Sequence, residues 1–247
     1  MDKIIHTKDN SDLDLYIDKD DRYIIFIDSE VLKIRYHIKK AKAKIIYIVL
    51  EELDIDLIED GKIEDSEVTI AFIDVSKSVL KAQSRIEVKD HASLSLISKY
   101  LVSTDKDIDI LCTNASKDTT VAIDNSAVAL DDARLRLTCT GKIINGAKAS
   151  ISHQKSRTLV SGKVKDVKID PILLIEESDV EASHAMSSGT IDEEILYYMK
   201  SRGIKEEEAM RLLITSYLLP DEGLFEGHED KDAIINLIQE RMEENVR

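Results

Sequence analysis

The sequence predicts a mainly β chain: a stack of short strands followed by a small helical region. Three observations carry this. From the start to about residue 180, apolar side chains recur at every second position, the period of a strand with one face inward and one in water. Beyond residue 190 the apolar spacing changes to that of a helix. Glycine and proline number only 8 and 2 in 247 residues, so the turns must be made largely by Asp, Asn, Ser and Lys, whose short polar side chains bend the backbone through local hydrogen bonds.

In the run Leu32 to Ile38 the even positions are apolar and the odd ones polar. The same alternation returns in Leu53, Ile55 and Leu57; in Ile86 and Val88; in Leu94 and Leu96; in Ile108, Ile110 and Cys112; in Val121 and Ile123; and in Leu135, Leu137 and Cys139. Strands at such regular intervals fit a sandwich, a barrel or a solenoid. Tight hairpin dipeptides are confined to Asp60-Gly61 and Asn145-Gly146, which favours a solenoid, whose coils turn through longer polar corners.

Thr190-Ile191-Asp192-Glu193 has the form of a capping box, placing a first helix near Ile191 with Ile195, Tyr198 and Met199 on one side and Gly203 as its left-handed terminator. A second helix begins near Lys205, with Glu206, Glu207 and Glu208 in the first turn, where the helix dipole favours negative charge. Met210, Leu213, Ile214, Tyr217 and Leu218 form its apolar stripe, and Pro220 marks its end. A third helix, Lys231 to Glu244, is capped by Asp230 and carries Ile234, Ile235, Leu237, Ile238 and Met242. Helices this short need another surface to bury against, or they serve to close the open end of a solenoid. The expected division is a β core over residues 1–188 and a helical region over 189–247.

The formal net charge of −15 excludes a phosphate-backbone partner, which would need clustered Lys and Arg. The first residues lack the apolar stretch of a signal peptide, and the longest apolar run, Ile45 to Leu50, falls far short of the roughly 20 residues that span a bilayer. The expectation is a cytoplasmic protein without a membrane partner. The two cysteines, Cys112 and Cys139, form no CxxC pair, so neither a disulfide framework nor a zinc knuckle is indicated. A GxxxxGK[ST] nucleotide loop is absent, so ATP would enter only through another protein.

The stretch from Pro171 to Leu218 contains Val180-Glu181-Ala182-Ser183-His184, then Asp192-Glu193-Glu194-Ile195-Leu196-Tyr197-Tyr198, then Ser201-Arg202-Gly203-Ile204, then Glu208-Ala209. In order and spacing this resembles the C-terminal signature of the SufB/SufD family, the scaffold subunits of the SUF iron–sulfur cluster assembly system. The resemblance implies a right-handed parallel β-helix and a C-terminal helical region that docks on a SufC-type ABC ATPase. It also implies pairing with a second SufB/SufD-type subunit through the β-helix edges, as a homodimer or, alternatively, a heterodimer. Such a chain is a non-catalytic scaffold holding a transient iron–sulfur cluster. Three departures stand out. Strand alternation begins almost at once, as in a short form without the family's N-terminal helical domain. Ala185-Met186-Ser187-Ser188-Gly189 replaces the family's usual Gly-Ala-Thr-x-Gly. No cysteine lies between Leu159 and Ser183, where SufB members carry a functional one, so the resemblance is closer to SufD or to a simplified, ancestor-like scaffold acting as a homodimer.

On this resemblance His184 is the candidate iron ligand or proton relay, since a neutral imidazole serves both roles near neutral pH. Its bland alternative is a hydrogen bond at the strand-to-helix junction. Cys139, and equally Cys112, is a candidate for supplying a thiolate or handling sulfur, against the competing reading of two core cysteines on the apolar stripes of their strands. Glu181, with Glu176, Glu177 and Asp179, could complete an oxygen-rich site, or these could form a solvated acidic edge. His153 is weighed in the same way. The implied ATPase dock comprises Ile195, Tyr198, Met199, Arg202, Gly203, Met210, Leu213, Ile214 and Tyr217. The rival classes are a structural paralogue that binds the ATPase without a cluster and a β-helix enzyme acting on polysaccharide. The second is disfavoured by an aromatic content of 4% and the absence of Trp.

Overall fold

A computed structural model describes residues 3–8, 12–226 and 230–246. In chain order the strands are β1 (Lys3–His6), β2 (Asp12–Ile17), β3 (Asp21–Phe26), β4 (Val31–Lys39), β5 (Lys42–Val49), β6 (Asp54–Glu64), β7 (Glu67–Asp74) and β8 (Val79–Lys89). They continue as β9 (Ser93–Val102), β10 (Asp105–Asn114), β11 (Thr120–Ala129), β12 (Arg134–Ile143), β13 (Ser150–Val160), β14 (Asp166–Ile175) and β15 (Val180–Thr190). The odd strands form one eight-stranded sheet and the even strands a seven-stranded sheet, each in sequential order. Every pairing is parallel, as in β4 with β6 and β11 with β13. The chain therefore winds as a two-sheet β-solenoid of about seven turns, with the core between the sheets.

Alternation in the sequence maps directly onto this wall. Along β4, Leu32, Ile34, Tyr36 and Ile38 are buried between the sheets while Val31, Lys33, Arg35 and Lys39 face water. Charge adds to the register on the even sheet. Asp12 and Asp14 of β2 stand beside Lys33 and Arg35 of β4, and Asp105 and Asp107 of β10 beside Arg134 and Arg136 of β12. A one-residue slip would both expose the apolar column and break these pairs.

One corner of the coil is built from left-handed residues rather than glycine. Lys40, Asp65, Asp90, His91, Asp118 and Ala149 all have φ between +46° and +62°. Such a conformation costs a non-glycine residue about 1–2 kcal/mol. Stacking offsets it: the Lys40, Asp65, Asp118 and Ala149 amides donate to carbonyls of the next coil, Glu64, Lys89, Lys148 and Asp179, at 2.7–3.3 Å. The side-chain bonds expected from the sequence are present beside these ladders: Ser66 accepts from the Ala41 amide, Ser78 from Leu53, Ser116 from Asp90 and Asp131 from Lys163.

The helices are α1 (Glu193–Ser201), α2 (Glu206–Leu218) and α3 (Lys231–Asn245), with a 3-10 turn over Glu222–Phe225. β15 runs on through Thr190, so the expected capping box is not used. Asp192 caps α1 instead, accepting from the Glu194 and Ile195 amides. Asp230 stands at the N-cap position of α3, but its side chain makes no capping bond. Among the described residues no helix is long and apolar enough to cross a membrane.

Helices α2 and α3 lie flat on the outer face of the odd sheet instead of closing its end. Ile214, Leu218, Phe225, Ile234, Ile238 and Met242 pack on Ile24, Ile46, Ile48, Ala71, Ile73, Leu101 and Val128. The Lys44 ammonium donates to the Gly223 and Leu224 carbonyls, and Asn245 Nδ2 to the Val75 carbonyl at 2.8 Å. This cover explains why β5 reads as an unbroken apolar run. Both of its faces are buried, one between the sheets and one under the helices.

Candidate functional site

Side chains pointing between the sheets change character along the solenoid. One inward column of the odd sheet runs Ile25, Tyr47, Phe72, Ser98, Asn125, Ser156 and Met186. On the even sheet, Ile34, Glu59, Ser84, Ile110 and Cys139 form another. The early coils are filled by Ile, Leu and Tyr. Toward β13, buried Ser152, Gln154, Ser156 and Thr158 take their place. Asn125 Oδ1, Ser152 Oγ, Gln154 Oε1 and Thr158 Oγ1 are buried without a hydrogen-bond partner among the described residues. A polar interior at one end of a stack is a costly arrangement for packing alone, because each unpaired buried polar atom costs about 1–3 kcal/mol.

His184 sits where that interior reaches the surface. It is in register with Gln154, hence with Ile123, Leu96 and Ile70 in the same inward column. Coil β14–β15 is the last of the solenoid, and the imidazole is exposed there. Among the described residues no hydrogen bond or ion pair holds His184 at the strand-to-helix junction.

The acidic residues near His184 in sequence are not gathered around it. Parity along β15 puts Glu181 on the opposite face, where its carboxylate lies 3.4 Å from His153 Nε2 while His153 Nδ1 is 2.7 Å from the Ser183 hydroxyl. Glu176 pairs with Lys142 at 3.1 Å. Glu177 accepts from the Ser178, Gly146 and Asp179 amides, which hold its carboxyl below the usual range and make it a turn-builder. Among the described residues no three His, Cys, Asp or Glu side chains converge on a metal position. Among the described residues His184 and Glu181 thus stand on opposite faces of β15 and do not share a site.

Both cysteines are inside. Cys112 pairs in register with Gly141 and Cys139 with Ile110, so the thiols occupy adjacent inward columns on neighbouring strands. Burial pushes Cys139 up to about 12, partly offset by a hydrogen bond from Asn125, and pushes Cys112 well above the ordinary thiol range. Both are held as protonated thiols in the closed solenoid, the state of a core cysteine and a poor metal ligand.

The predicted dock divides in two. Ile214 is buried on the odd sheet and Tyr217 is half-buried beside it, so these two face inward. Helix α1 buries no residue and presents Ile195, Tyr197 and Tyr198 at 47%, 75% and 58% exposure. The Arg202 guanidinium lies 5.2 Å from the Tyr198 ring centre. Leu212 of α2 is exposed as well. Tyr197 and Leu212 were absent from the sequence-derived dock, since neither lies on the stripe that spacing picks out. Gly203, with φ of +88°, supplies the left-handed turn that folds α1 back beside α2.

Residues 31–217 match the model of the SUF system FeS cluster assembly SufBD core domain, which spans the solenoid from β4 and continues into α2. The chain belongs to the SufBD family. The SufD iron–sulfur cluster assembly protein of Bacillus subtilis is 48% identical over 80 residues, covering 32% of this chain and 18% of that protein. SufD of Escherichia coli is 35% identical over 91 residues, covering 33% of this chain and 22% of that relative. A SufBD family protein of Pyrococcus horikoshii is 32% identical over 80 residues, or 18% of its length. These matches span about a fifth of the relatives' own length, so they carry the family and not the whole of its biology.

Proposed function

We propose that this SufBD-family chain is a non-catalytic scaffold subunit for iron–sulfur cluster assembly, loaded by a SufC-type ABC ATPase bound at the helical hairpin. The carrying observation is the combination of a solenoid end with exposed apolar edges and a helix α1 that buries none of its residues. Strands β14 and β15 are bare edges, with Ile172, Leu174, Ile175 and Met186 exposed. An uncovered parallel edge is a template for another strand, and a second SufB/SufD-type subunit would cover it. A homodimer is favoured over a heterodimer. Joining two such ends would bring two His184 side chains and two polar interiors together, which could supply the ligands that one chain lacks.

In this reading α1 and the exposed side of α2 receive the ATPase, with Ile195, Tyr197, Tyr198, Met199 and Leu212 as the apolar contact and Arg202 at its rim. The buried Ile214 and Tyr217 would instead transmit force, because they fix α2 to the odd sheet. ATP-driven movement of the ATPase would pull α2 and shift the solenoid end, opening Cys139 to sulfur and the seam between the two subunits, where His184 lies, to iron. No step requires this chain to bind ATP.

The test is anaerobic co-expression with the cognate ATPase, followed by visible and Mössbauer spectra of wild type, His184→Ala and Cys139→Ser. An iron–sulfur chromophore that His184→Ala abolishes is expected. ATPase retention with no chromophore in wild type would favour the structural paralogue.

A further inference from the structure

The outer face of the odd sheet carries a cluster that neither the interior nor the hairpin dock uses. Lys99, Ser126 and Arg157 share one register column across β9, β11 and β13, and Asp124 stands in the adjoining column. Tyr217 of α2 belongs to the apolar cluster on this same outer face, with Ile97, Val128 and Leu159; burial raises the pKa of its hydroxyl, Arg157 opposing the shift and Asp124 adding to it.

The cluster is rich in donors and poor in acceptors. Lys99 is partly desolvated, and its contact among the described residues is the Ser126 hydroxyl at 3.3 Å. It forms no ion pair there. Burial lowers the Lys99 pKa; Asp124 opposes this and Arg157 adds to it. Arg157 reaches the Asp124 carboxylate only at the limit of hydrogen bonding, 3.3 and 3.5 Å, and its Nε is buried without an acceptor. The two cations thus stand near one carboxylate that only Arg157 reaches, in a chain whose overall charge is −15. Removing cations from water without full pairing is unfavourable, and one further acceptor between them would relieve it.

We propose that Lys99, Arg157, Ser126 and Tyr217 form a binding site for a small free oxyanion such as phosphate or sulfate. The guanidinium Nε and Nη2 present a fork suited to two oxygens, the ammonium supplies a point charge, and the two hydroxyls can donate as well. Because Tyr217 belongs to α2 and the other groups to the sheet, the anion fastens the hairpin-bearing helix to the solenoid. The structural alternative is that the two cations complement the negative end of α2, whose last turn contains no basic residue.

Thermal unfolding of the full chain, titrated with sodium phosphate at constant ionic strength against sodium chloride, separates these. The site predicts a saturable rise in wild type, several degrees at a hundredfold excess over Kd. Arg157→Met and Lys99→Met should lose it, and Lys155→Met, which removes an exposed neighbouring charge, should keep it. Arg157→Lys retains the charge without the fork and should bind at least about tenfold more weakly while remaining folded. Phosphorus NMR line-broadening reads the same binding without unfolding. A rise that fails to saturate, or one unchanged in Arg157→Lys and Lys99→Met, overturns the proposal and leaves the helix-end role.

Discussion

Lys106 and Asp74 form an ion pair with both side chains wholly removed from solvent, joining the two sheets through the interior. Asp74 Oδ1 also accepts from the Ser76 amide at 3.0 Å and the Ser76 hydroxyl at 2.7 Å. The Ser76 hydroxyl contacts Ser78, whose own hydroxyl donates to the Glu51 carbonyl. A buried pair is weak evidence for stability, but breaking one leaves an uncompensated charge. Lys106→Met should therefore lower the unfolding free energy by about 3–5 kcal/mol, and adding Asp74→Asn should restore part of it. Urea unfolding of the single and double variants checks this, and a double variant no better than the single would count against it.

Glu59 supplies a pH dependence. It is buried where the hydroxyls of Ser84, Tyr47 and Tyr36 converge, yet its Oε1 and both tyrosine hydroxyls complete no hydrogen bond. Burial raises its pKa, the hydroxyls oppose this, and the net shift is upward. The folded chain thus keeps a proton that the unfolded chain releases above about pH 4. The associated stability is complete below that pH and declines as pH rises toward the folded value. Glu59→Gln should consequently unfold at higher urea than wild type at pH 7 and at nearly the same urea near pH 4. A constant gap across this range would show that the Glu59 pKa is the same in the folded and unfolded chains.

Gly61 is required by a close approach. A Cβ there would meet the Tyr36 ring at 2.2 Å, because the ring fills the place of the missing side chain on the adjacent strand. Gly61→Ala should cost roughly 1–3 kcal/mol by overpacking, and Tyr36→Leu in the same chain should recover most of it. Thermal midpoints of wild type, the single variant and the double variant decide the matter.

Much of the wall was legible because alternation has one physical cause, burial of one strand face. Lys106 illustrates how far that goes. It shares parity with Ile108, Ile110 and Cys112, so the pattern alone puts its ammonium inside, but its partner Asp74 lies 32 residues away and only the coil repeat joins them. The parallel pairing itself left no local mark, since alternation is the same in a sandwich. The helical hairpin was read from spacing, while its orientation was not. Ile214 and Ile195 look alike in sequence, and only the sheet beneath α2 makes one buried and the other free. Glu181 was grouped with His184 by nearness in sequence, which an extended strand undoes by turning neighbouring side chains to opposite faces.

That division makes a prediction for the hairpin. Ile214→Glu places a charge against the sheet and should destabilise the fold by several kcal/mol, on the order of the cost of an unpaired buried charge. Ile195→Glu and Tyr198→Glu alter residues already in water and should leave the unfolding midpoint within about 0.5 kcal/mol of wild type. Circular dichroism melts of the three chains distinguish a buried face from a free one.

The central claim is that this free face receives a SufC-type ATPase. The most direct measurement is retention of the cognate ATPase on the immobilised full chain, comparing wild type with Ile195→Glu and Tyr198→Glu. Stable retention by wild type and its loss in both variants, with their folds intact, is the predicted result. Equal retention by all three, or none by wild type, would contradict it.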